Sequence, residues 1–245
     1  MVCGALFVAA SAIAEPSFET VDFPTTDGIE ARADFYGDKQ SPAPLIVAFH
    51  QAGWSRGEYR EIAPKLVGMG YRVLAVDQRS GRGVNGVVNV TSKRAAKKKL
   101  PSGYLDAYPD LVAALEFAAE ELNAQQVIVW GSSYSASLVI RLAAEHANRV
   151  RAVLSFSPGE YFKKKPAYVE RQAKQIKQPL FVTSAKSERD QVKPFFDAAP
   201  AEKKILFTPA SGGQHGSRAL WSKWPDNDVY WAAVNGFLET YVPAK

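Results

Sequence analysis

A chain of 245 residues, 47% of them hydrophobic, is long enough to bury a sizeable core as a single domain. Its formal net charge is +5, and the runs Lys93-Arg94, Lys97-Lys98-Lys99 and Lys163-Lys164-Lys165 carry much of the basic excess. No basic stripe interleaved with aromatics and no nucleic-acid motif accompanies them, so the runs read as solvated faces and a nucleic-acid partner is not expected.

The first segment differs in kind from the rest. Residues 2–14 hold no charge and end Ala12-Ile13-Ala14 before Glu15-Pro16. A short apolar stretch closed by A-x-A predicts a signal peptide cleaved after Ala14 and an exported protein, although no Lys or Arg precedes the stretch. The alternative is a buried N-terminal strand or helix. The stretch is too short to span a bilayer, and no stable membrane anchor is expected. Cleavage would remove Cys3, the single cysteine, and leave no disulfide.

From there the chain reads as alternating elements. Residues 17–24 and 29–37 flank Thr25-Thr26-Asp27-Gly28, and Asp-Gly marks a hairpin turn. Residues 44–50 form an unbroken apolar run, as in a strand buried on both faces. A helix over 58–70, a strand over 71–77 and a long polar loop over 78–103 follow. Helices are expected over 105–122, 134–146, 167–177, 192–198 and 228–241, the last with Asp226, Asn227 and Asp228 as capping candidates. Strands are expected over 126–131, 150–156, 180–183 and 204–208. This alternation predicts an α/β fold, a mostly parallel doubly wound sheet with an antiparallel N-terminal hairpin and no large lid domain. In such sheets ligands bind beyond the carboxyl ends of the strands.

Chemistry-bearing residues concentrate at those ends. Gly131-Ser132-Ser133-Tyr134-Ser135 lies between an apolar strand and a helix. This is the setting of a G-x-S-x-G nucleophile elbow, with Ser135 in place of the second glycine. The other reading is a Ser/Gly-rich loop closing a strand. A nucleophilic Ser133 needs a base, and the chain has three histidines. His50 ends a strand upstream and suits bracing a loop. His146 falls at the far end of the helix from the turn. His215 sits in Ser211-Gly212-Gly213-Gln214-His215-Gly216-Ser217, just after the last strand, and is the candidate base. An acid that orients it should follow a strand between serine and histidine. Glu188 and Asp190 both qualify, Glu188 lying nearer the strand end and Asp190 being able to cap the next helix. Oxyanion donors are expected from the backbone N–H of Tyr134 and from Gln51 or Ala52 in the loop His50-Gln51-Ala52-Gly53-Trp54.

With these residues together, the chain resembles the α/β-hydrolase superfamily, and within it small dienelactone-hydrolase-like serine esterases. Phe49-His50-Gln51-Ala52-Gly53, Gly131-Ser132-Ser133-Tyr134-Ser135, Thr183-Ser184-Ala185-Lys186-Ser187-Glu188 and Gln214-His215-Gly216 carry the resemblance. It departs at Ser135, at Gln51 where a glycine is usual, and in having Glu as the acid. The resemblance implies a serine hydrolase that needs no metal or cofactor and acts on a small-molecule ester. A serine peptidase or amidase of the same fold, and an inactive hydrolase-like binding protein, are the alternatives. Tyr161, Phe162 and Tyr168 are expected at the rim of an open site, with Trp54, Trp221 and Trp224 as flanking aromatics or plain packing.

Overall fold

Alternation along single strands builds the core. Leu45, Val47 and Phe49 enter one hydrophobic cluster, while Ile46 and Ala48 of the same strand enter another. Successive side chains of a strand point to opposite faces, so both faces of this sheet are covered. The computed structural model describes residues 17–163 and 165–244. The signal-like segment 1–14 with Cys3, and Lys164 of the third basic run, lie outside the described residues.

In chain order, β1 (Phe18–Pro24) and β2 (Glu30–Tyr36) form the expected hairpin, and β3 (Leu45–Phe49), α1 (Ile62–Gly68) and β4 (Arg72–Asp77) follow. Then come β5 (Gly83–Val84), β6 (Val87–Val88), α2 (Val90–Lys97), α3 (Tyr108–Glu120), β7 (Val127–Ser132), α4 (Tyr134–Glu145) and β8 (Val150–Phe156). The chain continues through α5 (Tyr168–Ala173), β9 (Leu180–Thr183), α6 (Arg189–Ala198), β10 (Lys204–Phe207) and α7 (Asn227–Tyr241). The main sheet has eight strands in the order β1-β2-β4-β3-β7-β8-β9-β10. The two pairings of β2 are antiparallel and the others are parallel. Residues of α1 and α7 pack on one face, and residues of α3, α4, α5 and α6 on the other.

From β3 the chain steps outward to β4 and then returns to β7 on the opposite side. That reversal opens a crevice at the carboxyl ends of β3 and β7, where open α/β sheets bind ligands. The loop after β3 and the turn after β7 therefore face each other by topology alone.

Two expectations change. The stretch 78–103 is not a plain loop, because it contains the β5–β6 hairpin and α2. Asn89 caps α2 by accepting the Ser92 N–H at 2.8 Å, and Thr91 and Ala95 are buried beneath an otherwise polar helix. The helix expected over 58–70 is interrupted. A 3-10 turn at Arg56–Tyr59 precedes α1, with Ser55 Oγ accepting the Gly57 N–H. At the start of α7, Asp226 occupies the cap position without a capping hydrogen bond from its side chain. Among the described residues no helix is long and apolar enough to cross a membrane.

Candidate active site

β7 runs straight into α4 through Ser133, which has φ 59° and ψ −122°. A non-glycine residue held in so sparsely populated a region costs on the order of 1–3 kcal/mol and persists only where its surroundings over-determine it. Here the Ser133 N–H donates to Phe156 O at 2.8 Å, and α4 is packed directly behind. Gly131 permits that packing, since a Cβ there would lie 2.6 Å from Ala136 N. The backbone of Ser135 also lies against Gly131, while its side chain turns to the loop after β3. Its hydroxyl donates to His50 O at 2.6 Å and accepts from Gln78 Nε2. The departure from the motif thus ties the serine turn to the loop after β3.

The loop after β10 brings His215 to this turn, with Nε2 2.8 Å from Ser133 Oγ. Its Nδ1 lies 2.5 Å from Glu188 Oε1. Glu188 stands just beyond β9, where its Oε2 accepts from Ser157 Oγ at 2.7 Å and from the Ala185 N–H at 3.2 Å. Burial opposes the charge on Glu188, but the hydrogen bonds from His215 and Ser157 outweigh it and hold the carboxyl below its ordinary value. Asp190 is exposed in the first turn of α6 and does not meet His215. His146 ends α4, far from the turn. Sequence reasoning missed Ser157. It sits at φ 55° right after β8 and also accepts the Gly216 N–H at 2.9 Å, linking the acid to the histidine loop.

His50 is buried and braces the loop after β3. Its Nε2 accepts the Gln78 N–H at 3.2 Å and faces Asn89 Nδ2 at 3.0 Å. The proton is thereby assigned to Nδ1, which donates to Gln51 O at 2.8 Å. Burial pushes this imidazole below its ordinary value, so it stays neutral. Of the two donors expected from the loop, Gln51 needs correction, because its N–H is committed to Glu58 Oε2 at 2.7 Å. The Ala52 N–H and the Tyr134 N–H have no acceptor among the described residues. The arrangement provides a hydroxyl, a hydrogen-bonded base with its own carboxylate, and two backbone donors at the crevice.

The family model described as serine aminopeptidase, S33, matches residues 40–205. The chain belongs to this α/β-hydrolase family. It is 31% identical over 129 residues to epoxide hydrolase B of Mycobacterium tuberculosis, a stretch covering 53% of this chain and 32% of that protein. The chain therefore spans about a third of the length of that relative. The Pyrococcus furiosus esterase Pf2001 superposes with a TM-score of 0.69 at 19% identity, covering 92% of this chain and 93% of the esterase. A dienelactone hydrolase from Anabaena variabilis gives a TM-score of 0.69 at 14% identity over 93% of this chain and 99% of that one. At such identities the likeness is one of fold.

Two grooves flank the serine turn of this α/β hydrolase. One, of about 680 Å³, is lined by Ala52, Trp54, Arg82, Ser102 and Tyr104 among others. The other, of about 480 Å³, is lined by Tyr104, Leu105, Tyr161 and Phe162 among others. Tyr104, shared by both, stacks on Tyr134 with centroids 4.7 Å apart. Tyr161 donates to Ser157 O at 2.9 Å, and burial raises its phenol to about 12. Tyr168 packs edge-on against Phe162, one layer back. Of the three tryptophans, Trp54 lines the first of these grooves. Trp221 is buried beneath it with centroids 5.1 Å apart, and Trp224 packs against the neighbouring cluster. Among the described residues no three His, Cys, Asp or Glu side chains are grouped to hold a metal ion.

Proposed function

We propose that this α/β hydrolase cleaves small-molecule carboxylic esters through an acyl-enzyme on Ser133. The observation that carries the reading is the relay in which His215 Nε2 lies 2.8 Å from Ser133 Oγ while Nδ1 faces Glu188 at 2.5 Å. A serine hydroxyl is a weak nucleophile until such a base takes its proton. As Oγ attacks the ester carbonyl, His215 Nε2 receives the hydroxyl proton, and the new C–O bond leaves a negative oxygen. The N–H groups of Tyr134 and Ala52 stabilise that oxyanion where the charge develops. His215 then gives its proton to the leaving alcohol as the ester C–O bond breaks. A water that gives a proton to the same Nε2 attacks the acyl-enzyme, and His215 returns the proton to Ser133 as the acid departs. Glu188 remains ionised throughout, fixing the tautomer and stabilising the imidazolium.

The test is turnover of a short p-nitrophenyl ester and labelling by a fluorophosphonate. The wild type hydrolyses the ester and is labelled. Ser133→Ala loses at least about a thousand-fold in rate, as removal of the nucleophile from such a relay does, and takes up no label. Unchanged turnover in the variant would end this reading. A second reading, amide cleavage at a free amino terminus, draws on the description of the family model, serine aminopeptidase. Amino-acid p-nitroanilides, run beside esters of matched size, separate the two: faster amide turnover favours the peptidase.

A further inference from the structure

Glu58 is fully buried, and among the described residues no cation forms a salt bridge with it. The turn that carries it is fastened on several sides. Arg56 N–H donates to Asp77 Oδ1 at 2.8 Å, Tyr59 O–H to Phe49 O at 2.7 Å, and Trp221 Nε1 to Glu58 O at 2.9 Å. The carboxyl itself reaches two of the segments that build the site. Oε2 accepts the Gln51 N–H of the oxyanion loop at 2.7 Å, and Oε1 accepts Ser132 Oγ, directly before the nucleophile, at 2.7 Å. Ser132 Oγ in turn accepts the Ser217 N–H of the histidine loop at 2.9 Å. Gly216 packs so closely here that a Cβ would strike Ser132 Oγ and lie 2.9 Å from Gln51 Oε1.

We propose that Glu58 is a positioning residue whose carboxylate locks the oxyanion loop, the serine turn and the histidine loop in one geometry. Counting donors explains why a carboxylate is required. Ser132 Oγ already receives the Ser217 N–H, so its own proton needs an acceptor, and so does the Gln51 N–H. A carboxylate offers two acceptors, whereas a glutamine of the same shape offers one and turns an N–H₂ toward a group that is itself a donor. The charged groups facing the carboxyl are His215 and Arg218 from the histidine loop, with the Tyr59 phenol on its own turn. Burial pushes Glu58 up to about 7, so the lock acquires its charge in the neutral range. The ionised form is the one that satisfies both donors.

The proposal rests on the serine-hydrolase reading for its kinetic arm and on hydrogen exchange for an independent one. In Glu58→Gln we expect kcat for the p-nitrophenyl ester to fall on the order of ten- to a hundred-fold with KM little changed, the mark of displaced transition-state donors. The wild-type kcat–pH profile rises through neutrality with an ionisation that the variant lacks. Amides in segments 50–53 and 215–218 exchange faster together in the variant at pH 7.5. A pH profile superimposable on that of wild type, or unchanged exchange in both segments, overturns the proposal. If the wild type cleaves no ester, the ester reading fails, and exchange alone decides the lock. Should Glu58→Gln fail to fold, Ser132→Ala removes the bridging hydroxyl without touching the reacting atoms. It is expected to loosen segment 215–218 and lower kcat, and wild-type behaviour on both counts overturns the lock.

Discussion

Two carboxylates two residues apart differ in nothing that composition reveals, yet they have different surroundings. Glu188 faces His215 and Ser157, while Asp190 is exposed on α6. Glu188→Gln is expected to lower kcat by roughly a thousand-fold or more through loss of the correct imidazole tautomer, while Asp190→Asn leaves kcat within two-fold by the same assay, as surface changes do. Because the folded-state value of Glu188 is lowered, its contribution to stability is present above the ordinary carboxylate range and is lost as pH falls through the lowered value. Melting curves between pH 6 and pH 3 should therefore converge for wild type and Glu188→Gln as acid is added. Ser133, His215 and a following acid were legible because each lies at a strand end in chain order. Ser157, Gln78 and Glu58 were not, since, apart from the short link from Glu58 to Gln51, their roles come from hydrogen bonds across 28 to 74 residues of chain, between segments that no local pattern connects. Gln51 shows the same limit: its position in the loop was readable, but the commitment of its N–H to Glu58 was not.

At the level of elements, α2 is the instructive case. Its sequence, VTSKRAAK, is polar enough to read as loop, and its helical state depends on what lies at its start. Asn89 accepts the Ser92 N–H while its Nδ2 faces His50 Nε2 at 3.0 Å and donates to Gln78 O at 2.9 Å. One side chain thus starts a helix and supports the histidine that braces the oxyanion loop. Asn89→Ala is expected to cost roughly 2 kcal/mol, combining a lost cap with buried acceptors left unpaired. Urea denaturation reads that loss, and ester kcat should fall with it. The strands were far more legible: their continuous apolar runs, from residue 45 to residue 49 and from 127 to 130, follow from burial on both faces and need no distant partner to be recognised.

For the molecule as a whole, the antiparallel flank is joined to the parallel sheet by charge as well as by strand pairing. Asp34 of β2 meets Arg56 at 2.9 Å and Arg60 at 2.9 Å, and Arg56 also meets Asp77 of β4 at 2.7 Å. Both aspartates are fully buried, and removing one member of such a set leaves charge uncompensated. Asp34→Asn is expected to cost about 3 kcal/mol, seen as a lower denaturation midpoint with the slope against denaturant unchanged. The family model reaches only residue 205, and the histidine loop lies beyond it, after an edge strand that pairs with β9 alone. Ser133 and His215 are 82 residues apart in the chain. Synthesis delivers Ser133 first, at about 5–20 residues per second, so for several seconds a nascent chain carries the serine turn without His215, its proposed base. On the proposed mechanism, hydrolysis begins only when the last strand has docked and carried its loop back across the sheet. On refolding, the return of activity should follow the slowest phase and coincide with the last change in fluorescence of the buried Trp130, whose indole N–H finds Ser217 Oγ at 2.8 Å only at that step.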